Sequence, residues 1–361
     1  MWSVLKIYLG LGLLTIYKVH GYDRGTIQKA WHEDQLIDGI FQPLDGETII
    51  DGGFSLFFAG VNLCHKNFVS LKISFDKEDG LHEYKMYSYL KAKKRGVEVP
   101  ELEQYGISAI YYFNQHIVGS LTALSLFECN LYQKKTEPKF QFVTNDYLIL
   151  FRNFVRQIKY VHSCGILHGN VNPYNIMLRK GRSFLTDFSQ SSIMITLDPF
   201  ADWKNFILTM ALIVNDDRTC LQKISAIHNA AYKKLMLDTV DLGVPHKLFI
   251  DQTIENIKCD TLKAVMVKFA TEAYKRDGSL PNYDVLDGFI TSMIGDDERS
   301  ALFSWLKDDA TAIKDLQVNR PKTAKEIGNP KAVLKNGVST GPSDKFLEEE
   351  KTKMAKKGNQ K

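Results

Sequence analysis

The sequence predicts an α+β fold in which a small antiparallel β lobe is followed by a larger helical lobe. Stretches rich in Ile, Phe and Val, separated by turn residues, lie between Glu47 and Phe75 and again between Gly106 and Phe127. From Asp146 onward, apolar residues recur at helical spacing instead. Because the strands come first and the helices follow, the chain is expected to form two lobes.

The first lobe is predicted to contain five strands and one helix. We expect three antiparallel strands within Glu47–Phe75, with the turn Asp51-Gly52-Gly53 near the first of them. A helix is expected over Asp79–Arg95, because its apolar residues share a face and basic residues close its last turn, where cations suit the helix dipole. Two further strands are expected within Gly106–Phe127.

The clearest helix of the second lobe is predicted over Asp146–Ser163. Five large apolar residues recur there at the spacing of one helix face: Tyr147, Phe151, Phe154, Ile158 and Val161. That face is expected to pack into the core of the helical lobe.

The basic charge of the chain belongs to its carboxyl-terminal end. The 361 residues carry a formal net charge of +4. Between Val318 and Lys361 there are 11 Lys and Arg against 5 Asp and Glu, so the remainder is slightly acidic. This distribution argues against a basic nucleic-acid-binding face on the folded part. Residues 307–361 have few large apolar side chains and are predicted to form a flexible Lys-rich tail.

The first 21 residues have the pattern of a secretory signal peptide. A short basic start leads into the eleven-residue apolar run Ile7–Tyr17, which is too short to span a bilayer as a helix. Val19-His20-Gly21 then resembles a cleavage site, so the mature chain is expected to start at Tyr22 and to be secreted or lumenal. An uncleaved signal anchor and a buried amino-terminal helix are the alternatives. No later segment has the length and apolarity of a membrane span.

The cysteines do not form a metal site or a disulfide framework. They are odd in number, widely spaced and without a CxxC pair: Cys64, Cys129, Cys164, Cys220 and Cys259. We expect buried free thiols, with at most one disulfide in an oxidising compartment. The sequence has no Asn-x-Ser/Thr glycosylation acceptor.

One stretch of the second lobe carries a specific motif. The sequence from Gly165 to Leu178 reads GILHGNVNPYNIML, and Asp187-Phe188-Ser189 follows nine residues later. This order resembles the protein-kinase catalytic loop, H-x-D-x-x-x-x-N, followed by the metal-binding D-F-G. The resemblance extends from about Glu47 to Trp305.

The resemblance implies a nucleotide site for ATP and Mg²⁺. Lys72, in the strand-like VSLKI, stands where the family has its phosphate-binding lysine, and Glu83 is the candidate carboxylate partner. Alone, Lys72 could be an edge-strand residue and Glu83 a solvated one. Asn175 and Asp187 match both magnesium ligands of the family. The remaining nucleotide-binding candidates form a weak version of the glycine-rich loop: Gly52 and Gly53.

The same loop differs from the family at the positions whose side chains take part in phosphoryl transfer. His168 keeps the histidine of the motif, but Asn170 stands in place of the catalytic Asp, and an amide cannot accept a proton. Asn172 replaces the lysine that holds the transferred phosphate, and Gly169 replaces an arginine that pairs with a phosphorylated activation loop. Asp202 matches the aspartate that braces the catalytic loop.

The segment between Ser189 and Asp202 is short and contains no A-P-E sequence. The platform that normally presents a peptide substrate is therefore expected to be nearly absent. The losses fall on transfer and substrate docking, whereas the nucleotide and metal positions remain, and this selectivity points to binding without turnover.

These observations predict four segments: a signal peptide (1–21), an extension (22–44), a kinase-like domain (45–306, with lobes 45–127 and 128–306) and the tail (307–361). The predicted function is a secreted pseudokinase that binds ATP and Mg²⁺ and acts by contact with a protein partner. The alternatives are a weakly active or atypical ATP-dependent Ser/Thr protein kinase and a small-molecule phosphotransferase. Asn170 counts against both alternatives equally, since each expects a carboxylate in the catalytic loop.

Overall fold

The computed structural model describes most of the predicted domain. The described residues are 36–44, 50–51, 55–93, 102–117, 119–193, 200–214, 243–274, 281–294, 302–306 and a few positions between 309 and 327. The predicted signal peptide, Gly52, Gly53 and Cys220 lie outside them. The chain divides into two compact units: residues up to Lys85 together with Ile110–Leu126, and Met86–Ala109 together with the chain from Phe127 onward.

The first unit is built on one antiparallel sheet. The sheet order is β1-β3-β4-β6-β5, with β2 paired to β3. The strands are β1 (Phe41–Pro43), β2 (Ile50–Asp51), β3 (Ser55–Asn62), β4 (Asn67–Ser74), β5 (Ile110–Gln115) and β6 (Ser120–Ser125). The expected strands are present, and β1 is an additional strand that pairs with β3.

One face of this sheet forms the apolar core of the unit. Alternate residues of β3 and β4 and two residues of β6 are buried together: Leu56, Phe58, Val69, Leu71, Ile73, Leu121 and Ala123. Helix α1 (Lys77–Lys93) follows β4, and its start is capped by Asp76, whose carboxylate accepts the N–H of Glu78 at 2.8 Å. Gly80 of α1 is required by packing, because a Cβ atom there would lie 1.7 Å from the Oγ atom of Ser120.

The second unit is mainly helical. Its helices are α2 (Leu131–Thr136), α3 (Thr144–Ser163), α4 (Ala201–Val214), α5 (Gly243–Asn256), α6 (Asp260–Ala273) and α7 (Tyr283–Ile294). Its short strands are β7 (Cys129–Asn130), β8 (Ile166–Leu167), β9 (Ile176–Arg179), β10 (Arg182–Leu185) and β11 (Ser192–Ile193). β7, β9 and β10 form one sheet, and β8 pairs with β11.

Helix α3 is the centre of this unit and is buried over most of its length. It begins two residues before the predicted start, and Asp146 closes its first turn by accepting the N–H of Val143 at 2.9 Å. Phe154 of α3 stacks on Phe206 of α4 with ring centroids 3.7 Å apart. Phe269 of α6 packs edge-on against Phe151, so three helices share one aromatic core.

The predicted α+β, kinase-like two-lobed fold class is confirmed by these elements. Within the described ranges, no helix has the length and apolarity needed to cross a membrane. The four described cysteines are free thiols. The prediction that they are buried holds for Cys164 but is wrong for Cys64, which is exposed in the turn between β3 and β4.

Candidate functional site

Lys72 and Glu83 form a buried ion pair in the first unit. The Nζ atom of Lys72 lies 2.7 Å from the Oε2 atom of Glu83, and their side chains are 3% and 0% exposed. Lys72 sits in the middle of β4, opposite Phe57 of β3 and Thr122 of β6, so it is a central-strand residue. The edge-strand alternative for Lys72 is therefore wrong, as is a solvated Glu83.

In the second unit, Asp202 holds the loop that carries the motif. Its carboxylate, fully buried at the start of α4, accepts the backbone N–H groups of His168 and Gly169, both at 2.8 Å. It also lies 3.0 Å from the Nε2 atom of His162. Burial by itself raises the pKa of Asp202, but the hydrogen bond and charge of His162 bring it below its ordinary value. Asp202 is therefore an ionised brace.

His168 is enclosed and positions the residue that follows the glycine. Its Nε2 atom donates to the carbonyl oxygen of Thr186 at 3.0 Å, which leaves Nδ1 to accept the N–H of Asn170 at 3.2 Å. The ring packs against Phe188 with centroids 4.6 Å apart. Burial lowers the pKa of His168, so the imidazole is neutral. These contacts make His168 a positioning residue.

The three asparagines of the loop are linked to one another. The Nδ2 atom of Asn172 donates to the Oδ1 atom of Asn170 at 2.8 Å. The Oδ1 atom of Asn172 accepts the N–H groups of Tyr174 at 2.9 Å and Asn175 at 3.2 Å, which closes an Asx turn. Asn175 returns to the loop by donating from Nδ2 to the carbonyl oxygen of Asn170 at 2.9 Å. The amide oxygen of Asn170 thus faces a donor.

Asp187 lies beside this network with an uncommon backbone conformation. Its φ is 63°, in the left-handed region where non-glycine residues are rare and where strain often marks a functional position. The Oδ1 atom accepts the hydroxyl of Ser189 at 2.8 Å, and the Nδ2 atom of Asn170 lies 3.5 Å from Oδ2. Ser189, the departure from D-F-G, is therefore a direct partner of the carboxylate.

The chemistry of Asn175 and Asp187 fits Mg²⁺. Both offer oxygen atoms, the donor type that this hard cation prefers. The Nδ2 atom of Asn175 already donates to the loop, which fixes the amide so that Oδ1 is its remaining polar atom. In the described residues, no group of three or more His, Cys, Asp or Glu side chains is placed to hold a metal ion by itself.

Sequence reasoning missed part of this network. His162 closes α3 and links Asp202 to Tyr283, whose hydroxyl lies 2.5 Å from Nδ1. Ser191 donates from Oγ to the carbonyl oxygen of His168 at 3.0 Å. His162 could have been noticed in the sequence, because it lies six residues before His168. Ser191 and Tyr283 are not part of any sequence motif that would have pointed to them.

The backbone conformation at position 169 explains why this residue is glycine, which the motif alone did not reveal. Its φ is +77°, and a Cβ atom there would lie 2.5 Å from the carbonyl oxygen of Gln190. A side chain at this position, including the arginine of the family, would displace the segment after Asp187.

The part of the chain that carries this loop matches a known family model. Residues 130–198, from the end of β7 past β11, match the model described as the RIO domain, an atypical protein kinase-like family. The matched stretch contains the loop from His168 to Asn175 and also Asp187. The chain therefore has a protein kinase-like fold, and its segment 130–198 is similar to the RIO domain.

Proposed function

We propose that this protein is a pseudokinase that binds ATP with Mg²⁺ and acts through contact with a protein partner. The observation that carries the proposal is Asn170. It occupies the position of the proton acceptor with an amide, and the Nδ2 atom of Asn172 donates to its oxygen at 2.8 Å. An amide oxygen engaged in this way has no basicity to offer a substrate hydroxyl, and losing a general base costs about 10²–10⁴ in rate.

The nucleotide-binding part of the proposal rests on residues that match the kinase motifs, each considered within its own unit. The buried Lys72 ammonium, held by Glu83, supplies a positive charge for phosphate oxygens. Asn175 and Asp187 supply oxygen ligands for the cation. When bound, Mg²⁺ neutralises phosphate charge. The residues of this chain orient the loop through Asp202 and His168 but provide no proton acceptor at position 170.

The experiment is a thermal melt of the purified chain with ATP, with and without Mg²⁺. A ligand that binds the folded state at about 100 times its Kd adds about 2.7 kcal/mol of stability, which is readily seen as a shift of Tm. The shift should be absent in Asp187→Ala. Lys247→Met is the control. It changes a lysine of the exposed ion pair with Asp251, and this variant should keep the ATP-dependent shift of Tm. If millimolar nucleotide does not shift Tm, the protein does not bind nucleotide and keeps only the kinase-like fold.

A second candidate is a weakly active, atypical protein kinase. It is favoured by the similarity of residues 130–198 to the RIO domain, a family of atypical kinase-like proteins that bind ATP and Mg²⁺. Phosphoryl transfer draws much of its rate from positioning and metal ions, so some turnover without a base is physically reasonable. Phosphotransfer by the wild-type chain that disappears in Asp187→Ala would establish this candidate in place of the pseudokinase.

We also propose that the protein enters the secretory pathway and begins at Tyr22 after cleavage. The support is the apolar run Ile7–Tyr17 followed by Val19-His20-Gly21. Amino-terminal sequencing of protein from the culture medium of expressing cells should read Tyr22 first. Intact Met1 on cytosolic protein would contradict the proposal.

A further inference from the structure

A short segment from the predicted Lys-rich tail lies on the turn Glu103–Tyr105. The backbone N–H of Lys322 donates to the carbonyl oxygen of Gln104 at 3.0 Å. The Nζ atom of Lys322 donates to the hydroxyl of Tyr105 at 3.1 Å and lies 5.0 Å from the centroid of that ring. Lys322 and Tyr105 are separated by 217 residues, so this contact depends on the tertiary fold.

The shape of this segment is set by its own hydrogen bonds. The backbone N–H and the hydroxyl of Thr323 donate to the Oε2 atom of Glu326 at 2.8 and 3.0 Å, and the N–H of Glu326 returns to Thr323. This reciprocal arrangement caps the single helical turn Lys325–Ile327, which contacts α3. We call Lys322, Thr323 and Lys325–Ile327 the latch segment. Its turn needs no hydrogen bond from the surface beneath it.

The turn under Lys322 is held in place by strands β9 and β10. Arg179 of β9 donates from two nitrogens to the carboxylate of Glu103, at 3.1 and 2.5 Å. Arg182 of β10 donates to the backbone carbonyl oxygen of Glu103. The N–H of Leu185 donates to the carbonyl oxygen of Gly106 at 2.9 Å. Because these bonds do not involve the latch segment, the turn is expected to keep its shape when the segment leaves.

Tyr105 presents an aromatic ring and a hydroxyl to the ammonium group. Its ring stacks on Tyr160 of α3 with centroids 4.0 Å apart, and the hydroxyl of Tyr160 donates to the carbonyl oxygen of Leu90 at 3.0 Å. The ring of Tyr105 is therefore fixed from the side of the core. A fixed tyrosine ring with its hydroxyl attracts an ammonium group by a cation–π contact and a hydrogen bond.

The contact of the latch segment is weak enough to open. In the described part of the chain, Lys322 is held by two hydrogen bonds and one cation–π contact. Each of these gives a small net free energy when water can replace it. Lys322 and Thr323 are half-buried, and Lys325 and Glu326 are exposed. Partly exposed elements with few contacts belong to the low-stability end of a structure.

We infer that the latch segment covers a docking surface for a lysine-bearing peptide, formed by the carbonyl oxygen of Gln104 and the ring and hydroxyl of Tyr105. In the closed chain the occupant is the protein's own Lys322. Opening uncovers the surface for a protein partner that offers a lysine in the same way. The role of the partner rests on the proposed function, in which the protein acts through protein contact, whereas the docking of the latch segment does not.

Hydrogen exchange of the full chain, followed by NMR, measures the closed fraction. In wild type, the amide of Lys322 should exchange at least about tenfold more slowly than in a free peptide of residues 319–329, because opening must precede exchange. In Lys322→Glu the amide at this position should exchange almost as in the free peptide. Lys314→Glu makes the same charge reversal at another exposed position and should keep Lys322 protected. The amide of Leu185, which bonds to Gly106, should stay protected throughout and shows that the turn is intact.

The same peptide, carrying a fluorophore, probes the uncovered surface. It should bind the Lys322→Glu chain at least about tenfold more tightly than wild type, since the chain's own segment no longer competes. The ratio of the two Kd values should match the protection factor of the Lys322 amide, because both measure the fraction of closed chains. A peptide with alanine in place of this lysine should bind the Lys322→Glu chain at least about tenfold more weakly. Tyr105→Phe keeps the ring and should weaken binding of the unchanged peptide.

Three results would overturn the inference. The Lys322 amide of wild type could exchange as fast as in the free peptide, or the peptide could bind wild type and Lys322→Glu equally. Protection of Lys322 that falls on dilution would show that the segment of a second copy occupies the surface instead. All these measurements are made without nucleotide. Their failure leaves the ATP-dependent shift of Tm as a separate test of the pseudokinase, and a missing ATP shift leaves the latch standing.

Discussion

The ammonium group of Lys72 lies 2.7 Å from the carboxylate of Glu83, and both side chains are almost completely enclosed. Lys72 comes from the middle of β4, and Glu83 lies two turns into α1. An ion pair at this depth gives little net stability over a pair of apolar residues, because desolvation offsets the attraction. The pair is therefore better explained by a function that needs the positive charge of Lys72 than by a contribution to stability.

This account predicts different effects on stability and on binding. Lys72→Met should lower the free energy of unfolding by about 3–5 kcal/mol, because the buried Glu83 carboxylate loses the ammonium group that lies 2.7 Å from it. The double change Lys72→Met with Glu83→Leu should recover most of that stability while the ATP-dependent shift of Tm stays lost. Denaturant unfolding and thermal melts with ATP give the two readouts. A double variant that still responds to ATP would remove Lys72 from the nucleotide site.

A second prediction concerns Asn170 and Asp187, whose side chains lie 3.5 Å apart at Nδ2 and Oδ2. Asn170→Asp replaces this donor with a second carboxylate, so without divalent cation the variant should lose about 1–4 kcal/mol of stability. Mg²⁺ should restore the loss, and lowering the pH should reduce it because the added carboxyl becomes protonated. Melts in EDTA and in Mg²⁺ test this. Equal stabilisation of variant and wild type by Mg²⁺ would contradict it.

A third prediction concerns repair of catalysis. Asn170→Asp alone should restore little phosphotransfer, since residues that act as a unit are strongly non-additive. Asn170→Asp with Asn172→Lys should exceed the single variant in ATP hydrolysis or autophosphorylation. The gain should be limited, because Asn172 also closes the Asx turn to Tyr174 and Asn175. If nucleotide binds and neither variant turns over, the short segment after Ser189 is the dominant loss.

A fourth prediction concerns Gly169, whose φ is +77° and where a Cβ atom would lie 2.5 Å from the carbonyl oxygen of Gln190. Gly169→Ala should destabilise the protein by about 1–3 kcal/mol through backbone strain and this contact. Gly288→Ala is the matched control, because nothing lies within 4 Å of a Cβ atom in α7. That change should be neutral or stabilising by about 0.5–1 kcal/mol. Similar losses in both variants would show that the strain at Gly169 is not the cause.

A fifth prediction concerns pH. Burial holds the pKa of His168 below its ordinary value, so the folded protein resists protonation there, whereas the unfolded chain takes up a proton near pH 6.5. Stability should therefore fall as pH drops below about 6.5, by at most about 1.4 kcal/mol per pH unit. Asp202, whose pKa is lowered, stays ionised between about pH 5 and 8 and does not contribute there.

Two histidine variants test the origin of that slope. His168→Asn should reduce the dependence of unfolding free energy on pH, together with a general loss of stability. His65→Asn changes an exposed histidine and should leave the dependence as in wild type. An unchanged slope in His168→Asn would assign the proton uptake to another group.

The regular elements followed closely from local pattern. The predicted helix over Asp146–Ser163 and the strands around Lys72 are present, because periodic burial of apolar residues is written into the sequence. Strand β1 had no such signal. Phe41–Pro43 becomes a strand only because β3 offers its backbone hydrogen bonds, which is a long-range contact.

The candidate site was predictable where its residues form a linear motif. His168, Asn170, Asn172, Asn175 and Asp187 were found from their order and spacing. The links from Asp202 to His162 and Tyr283 span up to 121 residues between partners and could not be read from neighbours in the chain.

The sequence by itself determined the order of the two lobes, the motif residues and the loss of a carboxylate at position 170, because these depend on residue identity and local periodicity. Tertiary structure alone decided the rest. It buried the pair of Lys72 and Glu83, made His168 neutral and enclosed, and required glycine at position 169 through the carbonyl oxygen of Gln190. It also brought Lys322 onto Tyr105. Burial and the approach of distant charges are properties of the folded chain, and no single stretch of sequence contains them.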